Sequence, residues 1–262
     1  MKRLVREGKK LKVALEVVGL AKSSYYYRGK ERGSYPLDER LKEALEGLEG
    51  YELVYGYRKV TALLKRRGWR FGKKAVYRHM KALGKLQPRR KKRQRRSKLS
   101  YSVPVKSNER WEADITTVFC GADGNGWGFA LIDCYDWEVI GEVFSQRCRA
   151  KEAIECLRKA VAKRFGGRVP EGLRIELRVD RGSQFIARKF REEAQRLGIK
   201  IDYCGIQTPN DKPYIENFIS KYKEEEVYRN EYENFGEAKE GWERYIRWYV
   251  NERLHQSLGY RT

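Results

Sequence analysis

Hydrophobic positions follow two different periods along this chain. Up to about residue 85 they recur every three to four residues, which indicates amphipathic helices. From Trp111 to Phe119, and again between Leu173 and Asp180, they recur every second residue, which is typical of β-strands. The pattern therefore predicts a helical first part and a second part that contains a sheet.

The first candidate helix-turn-helix lies in residues 11–27. A short apolar helix would run to Val18 and break at Gly19. Ser23 or Ser24 would then cap a second helix, which carries three tyrosines. This spacing suits a helix-turn-helix, but on its own it is a weak indication.

The second candidate, residues 57–84, shows a clearer pattern. Its first helix would place Val60, Leu63 and Leu64 on one face and end before Gly68. Its second helix would direct apolar residues inward and basic residues outward, which suits the major groove of DNA. A plain helical hairpin with a solvated face would show the same pattern. The outward basic residues are Lys74, Arg78 and Lys81, and Lys73 is a further candidate DNA contact.

The second part of the chain predicts an α/β sheet of mixed strand direction. The alternation from Trp111 to Phe119 indicates a half-buried strand with Glu112 and Asp114 on its polar face. Three strands come first and helices then alternate with strands, which favours a mixed five-stranded sheet with flanking helices. The further strands are expected at 127–133, 139–145, 173–180 and 200–203. Helices are expected at about 151–165 and about 186–197. After a loop at 208–213, further helices are expected to run to about residue 250.

The charge is distributed unevenly between the two parts. Residues 1–110 contain 33 of the 58 Lys and Arg residues and 10 of the 36 Asp and Glu residues, a net charge of +23. Residues 111–262 contain the other 25 basic and 26 acidic residues, a net charge of −1. This asymmetry suggests a basic segment that binds a polyanion and a second domain with a different function. The alternative is that the charged surface serves solubility alone.

A run of basic residues separates the two parts. Residues 86–98 are so densely positive that we expect a disordered or extended linker until phosphates neutralise it. Its candidate DNA contacts are Arg89, Arg90, Lys91, Lys92, Arg93, Arg95 and Arg96. The predicted division is an N-terminal helical segment (1–50), a second helix-turn-helix segment (51–85), a basic linker (86–107) and a sheet-containing domain (108–262).

The sequence argues against a membrane protein and against a zinc site. It has no apolar run near ~18 residues and no signal-peptide core at its N-terminus, so we expect a cytoplasmic protein. The five cysteines are never spaced Cys-x-x-Cys, and the two histidines are His79 and His255. We therefore expect most of the thiols to be reduced and buried.

Three acidic residues stand where side chains leave a sheet or begin a helix. Asp114 lies within a strand, Asp180 ends a strand at a tight turn, and Glu216 lies in the first turn of a helix that begins with proline. Taken singly, each has an ordinary structural role. Asp114 can pair with an arginine, Asp180 can cap a turn, and Glu216 can complement a helix dipole.

If the three carboxylates converge, they require a cation. Two carboxylates ~4 Å apart repel by several kcal/mol at an effective dielectric constant near 20. With no histidine or thiolate in the pattern, the expected ion is Mg²⁺ or Mn²⁺. Two such ions ~3.5–4 Å apart activate an attacking oxygen and stabilise the leaving oxygen of a phosphodiester.

The sequences around these residues resemble the acidic motifs of the retroviral-integrase-like DDE superfamily of transposases. A separation of 35 residues between Asp180 and Glu216 matches that superfamily. The resemblance is closest to OrfB, the second-frame product of insertion-sequence transposases, and covers the chain from about residue 11 to 262. The matching segments are Trp111-Glu-Ala-Asp114-Ile-Thr, Asp180-Arg-Gly-Ser-Gln-Phe185, Pro213-Tyr-Ile-Glu216-Asn-Phe, Tyr55-Gly-Tyr-Arg-Lys-Val and the C-terminal Tyr249-Val-Asn-Glu-Arg-Leu-His255.

This resemblance implies a ribonuclease H-like core in which Asp114, Asp180 and Glu216 hold two Mg²⁺ or Mn²⁺ ions. Water would cut DNA to expose a 3′-OH at the element end, and that 3′-OH would attack a second phosphodiester. Lys223 matches a family lysine that would touch DNA near the scissile phosphate, and a solvated helix charge is the alternative. Three residues of the C-terminal signature are interpreted as structural or DNA-positioning: Asn251, Arg253 and His255.

The resemblance also implies partners and leaves alternatives open. The expected nucleic-acid partner is double-stranded DNA, bound both as terminal inverted repeats and as target. The expected protein partners are further copies of this chain on the DNA and a first-frame OrfA product. The expected location is the nucleoid of a prokaryotic cell. A non-catalytic DNA-binding regulator on an inactivated transposase fold would explain the basic arm equally well, but not the retention of three carboxylates. A nuclease that cleaves RNA in hybrids would share the core fold but would not need two helix-turn-helix segments.

Overall fold

The computed structural model describes residues 8, 10–27, 36–88, 103–205 and 211–262, and in these ranges helices precede a five-stranded sheet. The chain divides into two compact units, Met1–Lys42 and Glu43–Thr262. The first unit contains helices α1 (Leu11–Val18) and α2 (Lys22–Tyr26). The basic run from Arg89 to Arg96 lies outside the described residues.

The break predicted after α1 is confirmed, and the predicted cap of α2 is wrong. Gly19 ends α1 in the left-handed conformation that glycine adopts at low cost. Helix α2 begins after Ala21 without a side-chain cap. Ser23 and Ser24 therefore lie within the helix instead of preceding it.

The helix pair of the second candidate segment is confirmed. Helix α3 (Glu39–Glu46) is followed by α4 (Tyr57–Arg66) and α5 (Lys73–Ala82). Val60 and Leu64 of α4 are buried as predicted, but Thr61 takes the third buried position and Leu63 is half-buried. The Thr61 hydroxyl is satisfied by donating a hydrogen bond to a backbone carbonyl one turn earlier in α4. Buried residues of α5 are Val76, His79 and Met80.

The predicted mixed five-stranded sheet is confirmed. The strands are β1 (Arg110–Phe119), β2 (Asn125–Asp133), β3 (Val139–Ser145), β4 (Ile175–Val179) and β5 (Ile199–Tyr203). Their spatial order is β3-β2-β1-β4-β5. The pairs β1–β2 and β2–β3 are antiparallel, whereas β1–β4 and β4–β5 are parallel. Strand β4 is shorter than the alternation indicated, and both Leu173 and Asp180 lie outside it.

Helices cover both faces of this sheet. They are α6 (Ala150–Phe165), α7 (Ser183–Ile186), α8 (Arg188–Leu197), α9 (Pro213–Glu225) and α10 (Phe235–Asn251). On one face α6 packs against β3 so closely that a Cβ at Gly141 would lie 2.4 Å from the Cys156 carbonyl oxygen. On the other face α10 approaches β2, where a Cβ at Gly128 would lie 2.6 Å from the Trp242 ring. These glycines set how near the helices come to the sheet.

Strand β1 is not half-buried as its alternation predicted. Trp111, Glu112 and Ala113 are all buried, because both faces of the central strand are covered by helices. Toward the end of the strand the expected faces are reversed, since Val118 is 1% exposed and Phe119 is 69% exposed. The covered side at this end is the one that carries Asp114.

The described residues bear on two further expectations, about membrane-spanning helices and about the cysteines. Within these ranges, no helix is both long and apolar enough to cross a membrane. All five cysteines are free thiols, and every one of them except the half-buried Cys148 is buried.

Candidate active site

Asp114 and Asp180 lie side by side because their strands are parallel neighbours. Glu112 of β1 is paired with Arg178 of β4, and this register continued by two residues places Asp114 beside Asp180. Both carboxylates form ion pairs with one ammonium group, that of Lys212. The fold thus brings together two of the three predicted carboxylates.

The Lys212 ammonium occupies the point between the two aspartates. It lies 3.0 Å from Asp114 Oδ1 and 3.4 Å from Asp180 Oδ2, and it donates a hydrogen bond to the Ala113 carbonyl at 3.3 Å. Burial acts to lower the pKa of Lys212, but the charges of Asp114 and Asp180 outweigh it and hold that pKa above its usual value. A cation therefore balances the carboxylate pair, as their mutual repulsion requires.

Backbone amides orient both aspartates. Asp180 Oδ1 accepts the Gly182 amide at 2.7 Å, and Asp114 Oδ1 accepts the Ile115 amide at 2.9 Å. A Cβ at Gly182 would lie 2.8 Å from Asp180 Oδ1, so a larger residue at this place would displace that carboxylate oxygen. The backbone fixes Oδ1 of Asp180 and leaves Oδ2 to face the cation.

Glu216 lies in the first turn of α9, where its side chain is exposed. Its amide donates a hydrogen bond to the Lys212 carbonyl at 3.0 Å, so the two residues share one helical turn. Across the described part of the chain, no group of three or more His, Cys, Asp or Glu side chains is arranged to hold a metal ion. Glu216 does not complete a three-carboxylate group in this structure, and its role as a metal ligand stays a prediction.

Glu112 is a buried carboxylate that the sequence analysis did not single out as a site residue. Its side chain joins β1 to the start of α9, because Oε2 accepts the amides of Tyr214 and Ile215, both at 2.9 Å. Burial raises the pKa of Glu112 to about 7, against the effect of these hydrogen bonds. The signal in the sequence is a glutamate two residues before Asp114, and therefore on the same face of the strand.

Asp211 holds the start of α9 near the ends of β4 and β5. Its carboxylate accepts the Gly205 amide at 3.1 Å, and its carbonyl accepts a hydrogen bond from Arg178 at 3.3 Å. Arg178 is itself paired with Asp202 of β5 at 3.0 Å. These contacts tie the described residues on either side of 206–210 to each other.

The predicted C-terminal signature lies at the other end of α9. Arg253 is buried and donates two hydrogen bonds to the Glu225 carboxylate, at 2.8 and 2.7 Å. His255 is buried against the Tyr249 ring, and burial lowers its pKa to about 4. Asn251 is exposed and bonds to a backbone carbonyl of its own helix. Arg253 and His255 therefore hold the fold together and are remote from solvent.

The predicted DNA-contacting residues of α5 all point outward. Lys73, Lys74, Arg78 and Lys81 are exposed, whereas Val76, His79 and Met80 of the same helix are buried. Lys223 is half-buried on α9.

Comparisons with known proteins place this fold and these motifs in one family. Models described as integrase core domain match residues 104–209 and 197–262, and a model described as HTH-like domain matches residues 36–93. These matches cover the sheet domain and the second helical segment.

Curated relatives and a solved structure match over most of the chain. The transposase InsD of insertion element IS2 from Escherichia coli is 31% identical over 80% of this chain and 72% of its own length. The putative transposase InsK of insertion sequence IS150 from Escherichia coli K12 is 26% identical over 93% of this chain and 88% of its own. The simian T-cell lymphotropic virus intasome in complex with PP2A regulatory subunit B56 gamma contains a chain that is 15% identical, with a TM-score of 0.48, over 73% of this chain and 64% of that one.

The predicted ribonuclease H-like fold and the predicted family agree with these findings. The β3-β2-β1-β4-β5 sheet with helices on both faces falls within the two integrase-core matches, and the α4–α5 pair falls within the HTH-like match. On this fold, these matches and the 31% identity to InsD, the chain belongs to the integrase-core transposases of insertion sequences.

Proposed function

We propose that this chain is a DNA transposase that cuts and joins DNA strands at a site formed by Asp114, Asp180 and Glu216. One observation carries the proposal. Two carboxylates from motifs far apart in the sequence meet at a point that holds positive charge. The third comes from the first turn of α9, and Glu112 binds the start of that helix to the strand of Asp114.

The donor set fits two Mg²⁺ or Mn²⁺ ions. All three proposed ligands are carboxylates, which these hard cations prefer, and the Lys212 ammonium marks a position that already selects a cation. Asp114, Asp180 and Glu216 would hold the ions. When bound, the ions would supply charge that favours attack of water or a 3′-OH on a phosphodiester and departure of the leaving oxygen.

The rest of the site fixes the position of these carboxylates. The Gly182 and Ile115 amides set the side chains of the two aspartates, and Glu112 fixes the start of the helix that bears Glu216. Such positioning matters because strand transfer needs the attacking oxygen and the phosphodiester held in one geometry.

Double-stranded DNA is the proposed partner, bound as terminal inverted repeats and as target. The outward basic face of α5 suits the major groove, and the basic run from Arg89 to Arg96 suits the phosphate backbone. A homo-oligomer on the DNA is also proposed, in which separate copies of the chain would bind the two element ends. A first-frame OrfA product is a further proposed partner.

The proposal predicts that Asp114→Asn, Asp180→Asn and Glu216→Gln each abolish strand transfer. The expected loss is about a thousandfold or more, because several kcal/mol of lost charge stabilisation correspond to roughly three powers of ten in rate. The measurement is joining of terminal inverted-repeat DNA to a target in Mg²⁺ or Mn²⁺, with DNA binding followed in parallel. DNA binding should be nearly unchanged.

Glu192→Gln is the matched control, because it removes an exposed carboxylate of α8. It should leave joining unchanged. Normal joining by any of the three site variants would remove that residue from the proposed site. A wild-type chain that binds the repeats but never nicks them with either ion would be a regulator, and preference for RNA–DNA hybrids over duplex DNA would indicate the nuclease.

A further inference from the structure

Lys212 is the residue of this site for which the acidic motifs do not account. Its side chain is 7% exposed, and its ammonium is held by Asp114, Asp180 and the Ala113 carbonyl. Burial removes the hydration of a lysine ammonium, which is unfavourable, so a lysine is buried only where nearby anions compensate for this loss. The ammonium therefore takes the place that a divalent ion would need between the two aspartates.

The same residue is directly connected to Glu216. Lys212 precedes the first turn of α9, and its carbonyl accepts the Glu216 amide at 3.0 Å. The segment that carries the ammonium into the site thus also carries the third proposed ligand, one turn further along. A movement of this backbone segment would shift Lys212 and Glu216 together, whereas a rotation of the Lys212 side chain alone would withdraw the ammonium and leave the helix in place.

Charge balance explains why the ammonium and the third carboxylate do not both join the aspartates. One ammonium carries half the charge of the two aspartates, so a third carboxylate brought to the same point would be repelled. Two divalent ions carry more positive charge than three carboxylates carry negative charge. The site with Lys212 inside therefore suits two carboxylates, and the site with two divalent ions suits three.

We propose that Lys212 is an internal counter-ion that occupies the site in the metal-free protein, and that divalent ions displace it and allow Glu216 to join the two aspartates. The proposal rests on the proposed function, because it takes the same three carboxylates as ligands. The displaced ammonium needs a new anion, and a DNA phosphate at the site supplies one. Metal loading and DNA binding therefore assist each other.

The test measures Mn²⁺ binding to the DNA-free protein by isothermal titration calorimetry. Lys212→Met keeps the length of the side chain and removes its charge. The variant should bind Mn²⁺ about tenfold more tightly or better, because a site blocked nine-tenths of the time binds about tenfold more weakly than an open one. Mn²⁺ should also raise its melting temperature more than that of the wild type.

Lys239→Met is the matched control, because it removes an exposed ammonium of α10. Its Mn²⁺ affinity should equal that of the wild type. Unchanged or weaker Mn²⁺ binding by Lys212→Met overturns the counter-ion proposal. Mn²⁺ binding by Asp114→Asn and Asp180→Asn shows whether the counter-ion proposal alone has failed or whether the proposed metal site has failed as well. If they leave Mn²⁺ binding intact, the metal site itself is wrong, whereas if they abolish it the metal site stands.

Lys212→Gln and a measurement on the wild type cover the case in which Lys212→Met does not fold. The glutamine variant keeps a hydrogen-bond donor and should also bind Mn²⁺ more tightly. In the wild-type protein, the side-chain NMR signal of Lys212, assigned by its loss in Lys212→Gln or in Lys212→Arg, should shift on saturation with diamagnetic Mg²⁺. A Lys212 signal that stays in place at saturating Mg²⁺ overturns the proposal.

Discussion

At the scale of single residues, buried charges are each held by a few defined partners. Glu112 is bound by two helix amides, Lys212 by two aspartates, and Arg253 by Glu225. Removing one partner of a buried charge costs about 3–5 kcal/mol, whereas an exposed ion pair contributes about 1 kcal/mol or less. Substitutions at these residues should therefore lower the free energy of unfolding much more than substitutions at the surface.

Glu112→Ala tests whether this buried carboxylate positions the proposed third ligand. It leaves two amides at the start of α9 without their acceptor, and we expect the free energy of unfolding to fall by about 2–4 kcal/mol. Strand transfer should fall further than the unfolded fraction explains, because Glu216 loses its fixed position. Urea unfolding and DNA joining, measured below the unfolding transition, check the two effects.

Glu112→Gln is the conservative companion to this variant. Its amide oxygen can still accept from Tyr214 and Ile215, so it should recover most of the lost stability and joining. Glu171→Ala, at an exposed position before β4, should change neither quantity. If Glu112→Ala joins DNA as well as the wild type under conditions where both are folded, Glu112 has a structural role alone.

At the scale of elements, α9 is the helix on which the site depends, and it is fixed at both ends. Glu112 of β1 binds its first turn, and the Glu225–Arg253 ion pair binds its last turn to the chain after α10. Its inner face packs Phe218 and Tyr222 among the aromatic rings of α10. The third proposed ligand is thus carried by an element with little freedom to shift as a whole.

The contact between α6 and α8 predicts a dependence of stability on pH. Hydrogen bonds from Arg196 and Arg158 lower the pKa of Glu193 to about 2, below the value near 4.3 of an unfolded glutamate. A lowered pKa stabilises the fold above the unfolded value, and the contribution is lost as pH falls from about 4.5 toward 2. The difference in unfolding free energy between wild type and Glu193→Gln should therefore shrink over that interval.

Urea unfolding at pH 6, 4 and 3 measures this difference. Glu192→Gln, on the same helix but exposed, serves as the control and should give a small difference that varies little with pH. A wild-type advantage over Glu193→Gln that is the same at all three pH values would contradict the assignment of the lowered pKa to Glu193.

At the scale of the whole molecule, the second helical segment and the sheet domain belong to one compact unit, Glu43–Thr262. The ring of Tyr51 lies 4.5 Å from that of Trp248 on α10, and the Tyr55 hydroxyl accepts the Leu254 amide at 3.0 Å. The segment that leads into α4 is therefore held against the C-terminal part of the chain. DNA bound by α5 would be held by the same compact unit as the proposed active site.

The uneven charge of the molecule predicts a strong salt dependence of DNA binding. If the basic arm neutralises about 8 phosphates, the slope of log affinity against log salt concentration is about −7. Replacing Lys74 and Arg78 together by alanine should make the slope shallower by about 2 and weaken binding at low salt. Fluorescence anisotropy across a salt series on terminal-repeat DNA measures both quantities.

The matched control for this variant replaces Lys239 and Arg247, two exposed cations of α10, by alanine. This change removes the same charge from the molecule but should leave the slope unaltered. Equal effects of the two double variants would mean that net charge, and not the face of α5, governs DNA binding.

The sequence alone determined most of the helices and strands of this protein and the three carboxylates proposed for its site. Hydrophobic periods gave the helices and strands because local side-chain spacing reflects the helix or strand conformation that buries it. The three acidic motifs and the 35 residues between Asp180 and Glu216 indicated the family because that spacing is read directly from the chain. The excess of basic residues before the sheet likewise needed only a count.

Tertiary structure decided how those residues meet. The parallel pairing of β1 with β4 set Asp114 beside Asp180, and helices on both sheet faces buried a strand that alternation indicated to be half-exposed. Lys212 and Glu112 gained their roles only through partners about 30 to 100 residues away in the chain. Their burial and their ion pairs depend on contacts between segments that are distant in the chain, and such contacts cannot be predicted from the pattern of neighbouring residues.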